Sequence, residues 1–409
     1  MSNKVTQELQ FIRAEAERCL YCVDAPCHEG CPAGIRVSQF IRHLRYGDMK
    51  SAKRVIKDAN PMGGICGYLC PSEELCQKQC TLGKCDESIR IRDLQKYVCD
   101  NADYKPETKE AAAGRVAVVG GGPAGLSCAV ELALNGVTVD VYEKESELGG
   151  LVQSEIPGYR IPARAVERDL TELQSANIRW HMGVEIDAAR LEELEEECDA
   201  VFLSVGLSRD RDSGVTEAPK TMTASQLLCG LKTGRVKGVD GTVYVVGGGD
   251  SAVDAAQAAI RAGASRAILT YRRSRAEMPA TDETLFEAIG DGVELLYNTS
   301  ITGIQPGEPL RVTMVQNRLE EIPGQSRKGF APIPGSEYTV TADTVIFALG
   351  KLSDKAMAEA LGGAIHGDAP DPGGNVYAGG DCVNGGATIV QAVREGKQAA
   401  RSILDALRA

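Results

Sequence analysis

The chain has 409 residues, more than a single hydrophobic core accommodates, so two or three domains are expected. With 43% apolar and 25% charged residues it reads as ordinary globular protein, and its formal charge of −12 argues against nucleic acid or an anionic membrane as the main partner. The opening stretch MSNKVTQELQFIRAEAERC mixes charged and apolar residues at helical spacing, unlike a secretory or transit leader, and no apolar run reaches the length of a membrane span. A cytoplasmic protein is expected, without a membrane partner, in a compartment where disulfides rarely persist.

Ten of the fourteen cysteines fall in the first 99 residues, and only Cys128, Cys198, Cys229 and Cys382 lie beyond. The first run, Cys19, Cys22, Cys27 and Cys31 followed by Pro32, has the form C-x2-C-x4-C-x3-C-P. Zinc is the simplest reading of paired cysteines. The proline-terminated run instead resembles in form that of bacterial ferredoxins, whose fourth cysteine serves a second cluster, and iron–sulfur is favoured. By that rule Cys19, Cys22 and Cys27 lack one ligand and Cys31 lacks three. The second run, Cys66, Cys70, Cys76 and Cys80, offers the soft thiolates to supply them. Between the runs, VSQFIRHLRYGDMKSAKRVIKDANP predicts two short helices that stop before Pro61, from apolar Phe40, Ile41, Leu44, Val55 and Ile56. NADYKPETKEAAAG reads as a linker closing a region 1–113.

From Gly114 the texture becomes that of an α/β domain, Val-rich strands alternating with glycine turns and Ala-rich helices. Gly120, Gly122 and Gly125 form G-x-G-x-x-G after the strand VAVV and before a helix, with Pro123 and Ala124 inside the turn. The spacing supplies a tight turn, an open approach for pyrophosphate and close helix packing, with helix amides toward the phosphate. Glu143, ending the strand TVDVYE, is placed to accept ribose hydroxyls. The acidic run LEELEEE at 191–197 reads as a solvated helix face. A second unit repeats the pattern with Gly247, Gly249 and Ala252 around Asp250 and Ser251. Its second strand ends in Arg272, Arg273 and Arg275 where the first unit has its acid, which favours NADPH over NADH, since guanidinium forks match a 2′-phosphate.

The C-terminal stretches DTVIFALG and VYAGGDCVNGGATIVQAVREGKQAA resemble the closing signature of flavoproteins with two dinucleotide-binding domains. The resemblance implies FAD contacts at Gly350, Gly380, Asp381, Thr388 and Ala392, with Asp381 on the ribityl chain, and a further flavin loop including Gly150. It also implies a discontinuous FAD domain, 114–218 and 342–409, with the NAD(P)H domain at 219–341 inserted. Thioredoxin reductases share this plan but need a C-x-x-C in the nucleotide domain, and none follows Gly114.

Taken whole, the chain resembles the electron-input module of glutamate synthase small subunits, ferredoxin:NADP reductase subunits and dihydropyrimidine dehydrogenases. The implied fold class is α+β multidomain: a helical double [4Fe-4S] domain, then two Rossmann-like dinucleotide-binding domains. The implied ligands are Cys19, Cys22, Cys27 and Cys80 for the first cluster, and Cys31, Cys70, Cys76 with one more group for the second. In dihydropyrimidine dehydrogenases that group is the glutamine of a Leu-Gln pair, here Gln95, with Cys66 the alternative; Cys85 and Cys99 are spare. Glutamate synthase relatives carry glutamate there and a shorter C-P-x2-C spacing, so the pyrimidine branch is favoured, most closely the flavoprotein subunit of the bacterial two-subunit enzyme. The implied activity is oxidation of NAD(P)H at FAD, with single electrons leaving through the clusters and no side-chain acid or nucleophile in the chemistry. No stretch remains to form a pyrimidine site, so an FMN-containing dihydropyrimidine dehydrogenase catalytic subunit is the expected partner, with glutamate synthase or ferredoxin as other clients.

Overall fold

The computed structural model describes residues 3–110, 114–175, 177–215, 218–324, 327–353 and 374–408, so residues 111–113 of the expected linker lie outside it. It divides into two units, one comprising Met1–Gln153, Gly158–Ser208 and Ser353–Ala409, the other Ser154–Pro157 and Arg209–Leu352.

The first unit opens with helices Asn3–Glu17, Val37–Arg45, Met49–Ala59, Gly63–Leu69 and Ile91–Asn101. Val37, Phe40, Ile41 and Leu44 recur at helical spacing and bury one stripe against Ile12, Ile56, Leu94 and Val98. Asp48 caps the Met49–Ala59 helix by accepting from the Ser51 amide at 3.1 Å, and the helix stops at Asn60 as Pro61 requires. Lys53 and Lys57, one turn apart on this helix, are only 0% and 5% exposed. They are buried because helix Ala163–Glu172 brings carboxylates to them: Lys57 Nζ lies 2.8 Å from Asp169 and 2.9 Å from Glu172, and Lys53 pairs with Glu172. Asp169 also accepts from the Ile65 amide at 2.7 Å, gripping the start of Gly63–Leu69.

The same unit holds a five-stranded parallel sheet in the order Val376–Ala378, Ala200–Leu203, Arg115–Val119, Thr138–Glu143, Ile178–Met182. The C-terminal helix Ile389–Arg408 lies on helix Pro123–Leu134, and a Cβ at Gly396 would stand 2.0 Å from the Ala124 carbonyl oxygen, so only glycine permits this approach. Lys397 donates from the C-terminal helix to the carbonyls of Asp58 and Ala59 at 2.7 and 3.1 Å, where a helix C-terminus favours a cation. In the LEELEEE helix Leu191 and Leu194 are buried, and Arg190 meets Glu193 and Glu197 at 2.7 and 3.0 Å on the solvent side.

The second unit has its own parallel sheet, ordered Thr221–Thr223, Thr344–Ala348, Thr242–Gly247, Arg266–Thr270, Glu294–Leu296, and an antiparallel group of Thr299–Gln305, Leu310–Glu320, Gly329–Pro332 and Tyr338–Ala342. Thr344–Ala348, placed by sequence in the returning FAD segment, pairs with Thr242–Gly247 throughout its length. The second unit runs over Arg209–Leu352 with Ser154–Pro157, and the expected inserted nucleotide segment 219–341 falls within it. The hairpin-like pairing of Arg209–Asp210 with Lys351–Leu352 closes the second unit at that point.

Replacing Asp169 with alanine leaves two buried ammonium groups, Lys53 and Lys57, sharing the single carboxylate of Glu172, and breaking a buried pair in this way costs roughly 3–5 kcal/mol. The urea midpoint reported by the lone tryptophan, Trp180 in the first unit, is expected to fall in Asp169→Ala, and the double variant Lys57→Met/Asp169→Leu to recover part of the loss.

Candidate cofactor sites

Cys19, Cys22, Cys27 and Cys80 line one cavity, walled by Leu20, Pro26, Val37, Ile41 and Ile91. Left-handed backbone at Tyr21 and Ala25 (φ 52° and 38°) turns the chain back on itself between these cysteines. Burial raises the Cys27 thiol to about 11, with Cys80 and Cys19 adding to it, and burial raises Cys19 likewise, beside Cys80 and Cys22.

Cys31, Cys66, Cys70, Cys76 and Gln95 line a second cavity together with Asn60, Ser72, Arg92 and Val390. Burial pushes Cys66 and Cys76 up to about 12 and Cys70 further, and the neighbouring thiols act in the same direction on Cys70 and Cys76. Cys19, Cys27, Cys31 and Cys80 pack against the same apolar cluster as Cys76, so the two cavities adjoin. Crowded, buried thiols resist ionisation until a cationic centre binds them, which is the condition an iron–sulfur cluster meets. Among the described residues no three His, Cys, Asp or Glu side chains close on a point as a single ion needs; the cysteines surround space instead. Gln95 is 7% exposed and donates from Nε2 to the Gly63 carbonyl at 2.7 Å, which leaves Oε1 as the atom free to act as an oxygen ligand. Cys85 is exposed, and Cys99 is buried away from both cavities' linings.

The first glycine turn is built as its spacing requires. A Cβ at Gly125 would lie 1.9 Å from the Gly120 carbonyl oxygen, whereas Gly122 has open space beside it. Gly120 has φ 106°, and Pro123 and Ala124 begin helix Pro123–Leu134. Gly150 packs on Gly122, and Gly380 (φ 82°) would meet Ala124 if it carried a Cβ. Glu143 is buried, accepting from the Gly121 amide at 2.7 Å and the Glu145 amide at 2.9 Å, so its carboxylate braces the turn. Burial raises the Asp381 carboxyl above its usual range, and the Ala387 amide, 3.1 Å away, opposes this. Thr388 and Gln391 form a reciprocal cap at the start of the C-terminal helix: the Thr388 amide donates to Gln391 Oε1 at 3.0 Å and the Gln391 amide to Thr388 Oγ1 at 3.3 Å. Ala392 follows, nearly buried, in the first turn.

Gly350 lies in the second unit, where its carbonyl accepts from the Arg211 amide at 3.0 Å. There Gly247 packs on Ala252 and Ala348, and Gly249 is open and precedes helix Asp250–Arg261. Asp250 accepts from Thr284 Oγ1 at 2.9 Å, so it organises the neighbouring helix start, with exposed Ser251 beside it. Arg272 and Arg273 both stack on Phe330, at 4.9 and 5.2 Å. Burial lowers the Arg272 pKa, and Arg273 and Arg327 lower it further by repulsion. Arg275 is instead paired with Asp282. The basic group at the end of this strand is thus Arg272, Arg273 and Arg327. Sequence spacing could not find Arg327 or Phe330, which arrive from the antiparallel group; Asn60, and Val390 and Gly396 within the C-terminal signature, were not singled out by it either.

The family model for pyridine nucleotide-disulphide oxidoreductases matches residues 114–396, and that for dihydropyrimidine dehydrogenase domain II, 4Fe-4S cluster, matches residues 2–107. The chain belongs to the pyridine nucleotide-disulphide oxidoreductase family. It is 32% identical to the glutamate synthase [NADPH] small chain of Halomonas elongata, over 97% of this chain and 91% of that one. It is also 32% identical to the NAD-dependent dihydropyrimidine dehydrogenase subunit PreT of Escherichia coli O157:H7, over 95% and 92%. Mycobacterium tuberculosis FprA in complex with NADPH shares the fold at TM-score 0.62 and 16% identity, over 73% of this chain and 85% of that one. Within the family, this member is an NAD(P)H-dependent oxidoreductase whose nucleotide-binding region follows a four-iron–four-sulfur domain. No helix among the described residues is long and apolar enough to cross a membrane.

Because a side chain at Gly125 would overlap the Gly120 carbonyl, Gly125→Ala is expected to lower retained flavin, read as flavin absorbance per chain, by about tenfold or more.

Proposed function

We propose that the chain is the electron-input subunit of a two-subunit dihydropyrimidine dehydrogenase, working beside an FMN-containing catalytic subunit that reduces uracil or thymine or runs the reverse reaction. When bound, FAD exchanges two electrons with NAD(P)H and the four-iron clusters carry them singly toward the partner. Gly120, Gly122 and Gly125 would receive the FAD pyrophosphate, Asp381 its ribityl chain, and the capped helix after Thr388 would point its amides at the flavin. Gly247, Gly249 and Ala252 would seat the nicotinamide nucleotide, and Arg272 and Arg273, held over the Phe330 ring, would meet a 2′-phosphate. Cys19, Cys22, Cys27 and Cys80 would hold the first cluster, and Cys31, Cys70, Cys76 and Gln95 the second.

Val390 supports an order for the two proposed cluster sites: it lines the second cavity and stands two residues beyond Thr388, so the flavin half of the first unit borders the second cavity, and Cys76 shares an apolar cluster with Cys27 of the first. The chain's residues thus grade from flavin to surface, where Leu20 at the first cavity is 55% exposed and Val23 fully exposed. The single observation that carries the choice of client is Gln95 in the lining of the second cavity with its oxygen uncommitted, because the two relatives are equally identical to this chain. A cytoplasmic location accords with this role.

The deciding experiment mixes the holoprotein with an FMN-containing dihydropyrimidine dehydrogenase subunit and follows uracil reduction by NADPH. Turnover needing both chains is expected; uracil reduction by this chain alone, or transfer only to a glutamate synthase large subunit, would refute the reading. Gln95→Ala should alter the electron paramagnetic resonance signal of the second cluster and leave that of the first intact. Replacing both Arg272 and Arg273 with alanine should raise KM for NADPH at least about tenfold while changing KM for NADH little, since each charge-assisted bond to the 2′-phosphate is lost.

A further inference from the structure

Asn60 ends helix Met49–Ala59 in extended backbone, its amide donating to the Ile56 carbonyl at 2.8 Å. Its side chain is 0% exposed and fixed in orientation, because Oδ1 accepts from the Met62 amide at 3.0 Å. That bond assigns the other end of the amide: Nδ2, with two N–H groups, faces away from Met62. Nδ2 is buried and has no partner in hydrogen-bond geometry among the described residues, although it lies beside the Cys66 thiol. Asn60 is at the same time part of the wall of the cavity lined by Cys31, Cys66, Cys70, Cys76 and Gln95.

A buried amide donor left without an acceptor is costly and rare in folded proteins, and an absent bound group is one of its few explanations. An accidental void fits poorly with the bracing around it, since Pro61 follows, Met62 is 0% exposed and the Lys57–Asp169–Ile65 linkage holds the helices on either side, and the Cys66 thiol beside Nδ2 does not meet it in hydrogen-bond geometry. The acceptors a four-iron cluster presents are its sulfides and thiolate sulfurs, all carrying negative charge, and a neutral amide suits them.

We propose that Asn60 donates a hydrogen bond from Nδ2 to a sulfur of the second cluster and thereby raises that cluster's reduction potential. The inference rests on the cluster assignment made above. An N–H directed at sulfur stabilises the reduced cluster more than the oxidised one, since the reduced form carries the extra negative charge. The donor thus favours electron entry at the cluster that adjoins the flavin half. Asn60 has no place in the ferredoxin-like spacing, because it is not a ligand.

The test is a redox titration of the full-length holoprotein followed by electron paramagnetic resonance, with iron and sulfide measured on the same samples. Asn60→Leu removes the donor, and Asn60→Asp keeps the acceptor for Met62 while replacing the donor with an oxygen. In both, the reduced-to-oxidised ratio of the second cluster at fixed potential should fall about tenfold, which is about 59 mV for a one-electron couple, with the first cluster unmoved. Should either variant lose iron, wild-type protein grown on 15N-asparagine decides: a 15N coupling to the reduced second cluster is expected, and its absence overturns the proposal. Full iron with an unchanged potential in both variants overturns the role of Asn60 alone. Iron and sulfide for only one cluster in the wild-type protein overturns the cluster assignment and this inference together.

Discussion

A buried ion-pair network holds the cysteine-bearing helices to the flavin half of the first unit. Two lysines on one helix face meet two carboxylates on helix Ala163–Glu172, and one of those carboxylates also takes the amide of Ile65. Burying such charges gains little net stability compared with an apolar contact, but each group is ruinous to leave alone, so the network specifies one docking rather than many. The fit is tight: a Cβ at Gly64 would fall 2.5 Å from Asp169 Oδ1. Helix Gly63–Leu69, which carries Cys66 and leads into Cys70, is positioned by this grip.

From that docking the arrangement of the cofactor sites follows. Lys397 ties the C-terminal helix to the end of helix Met49–Ala59, and Gly396 lets the same helix lie against the dinucleotide helix Pro123–Leu134. One helix therefore touches the glycine-turn helix, the end of the lysine helix and, through Val390, the second cavity. Within the first unit the flavin signature and the cysteine runs, far apart in sequence, become neighbours through backbone contacts that tolerate no side chain and charges that tolerate no solvent.

In the proposed reading the second unit solves a different problem, choosing among nicotinamide nucleotides. Its arginines are not free forks awaiting a phosphate: Arg272 and Arg273 are held on the face of Phe330, and Arg327 reaches Tyr271 at the end of the same strand. Mutual repulsion among them is tolerated with the rings beneath and, in the proposed reading, would be relieved by an incoming anion. Arg275, next in the run, is spent on Asp282.

The glycine fingerprints, the stop before Pro61 and the local run Cys19, Cys22 and Cys27 were legible in the chain alone, because each depends on local geometry: a turn that needs no Cβ, a ring that cannot donate, thiols carried on one loop; the joining of Cys80 to that run was implied only by the family resemblance. The same locality made the LEELEEE face readable as solvated. What no spacing could reveal was long-range. Nothing in the spacing marks Lys53 and Lys57 as buried before a helix more than a hundred residues away brings acids to them, and Thr344–Ala348 reads as the start of the returning flavin segment until its pairing with Thr242–Gly247 assigns it to the other sheet. Asn60 carries no motif at all, and its unpartnered amide exists only because the folded chain encloses it beside the second set of thiols. Local sequence thus determines which groups can bind iron and nucleotide, while desolvation and close packing, which depend on the whole fold, decide where those groups meet and which neighbours tune them.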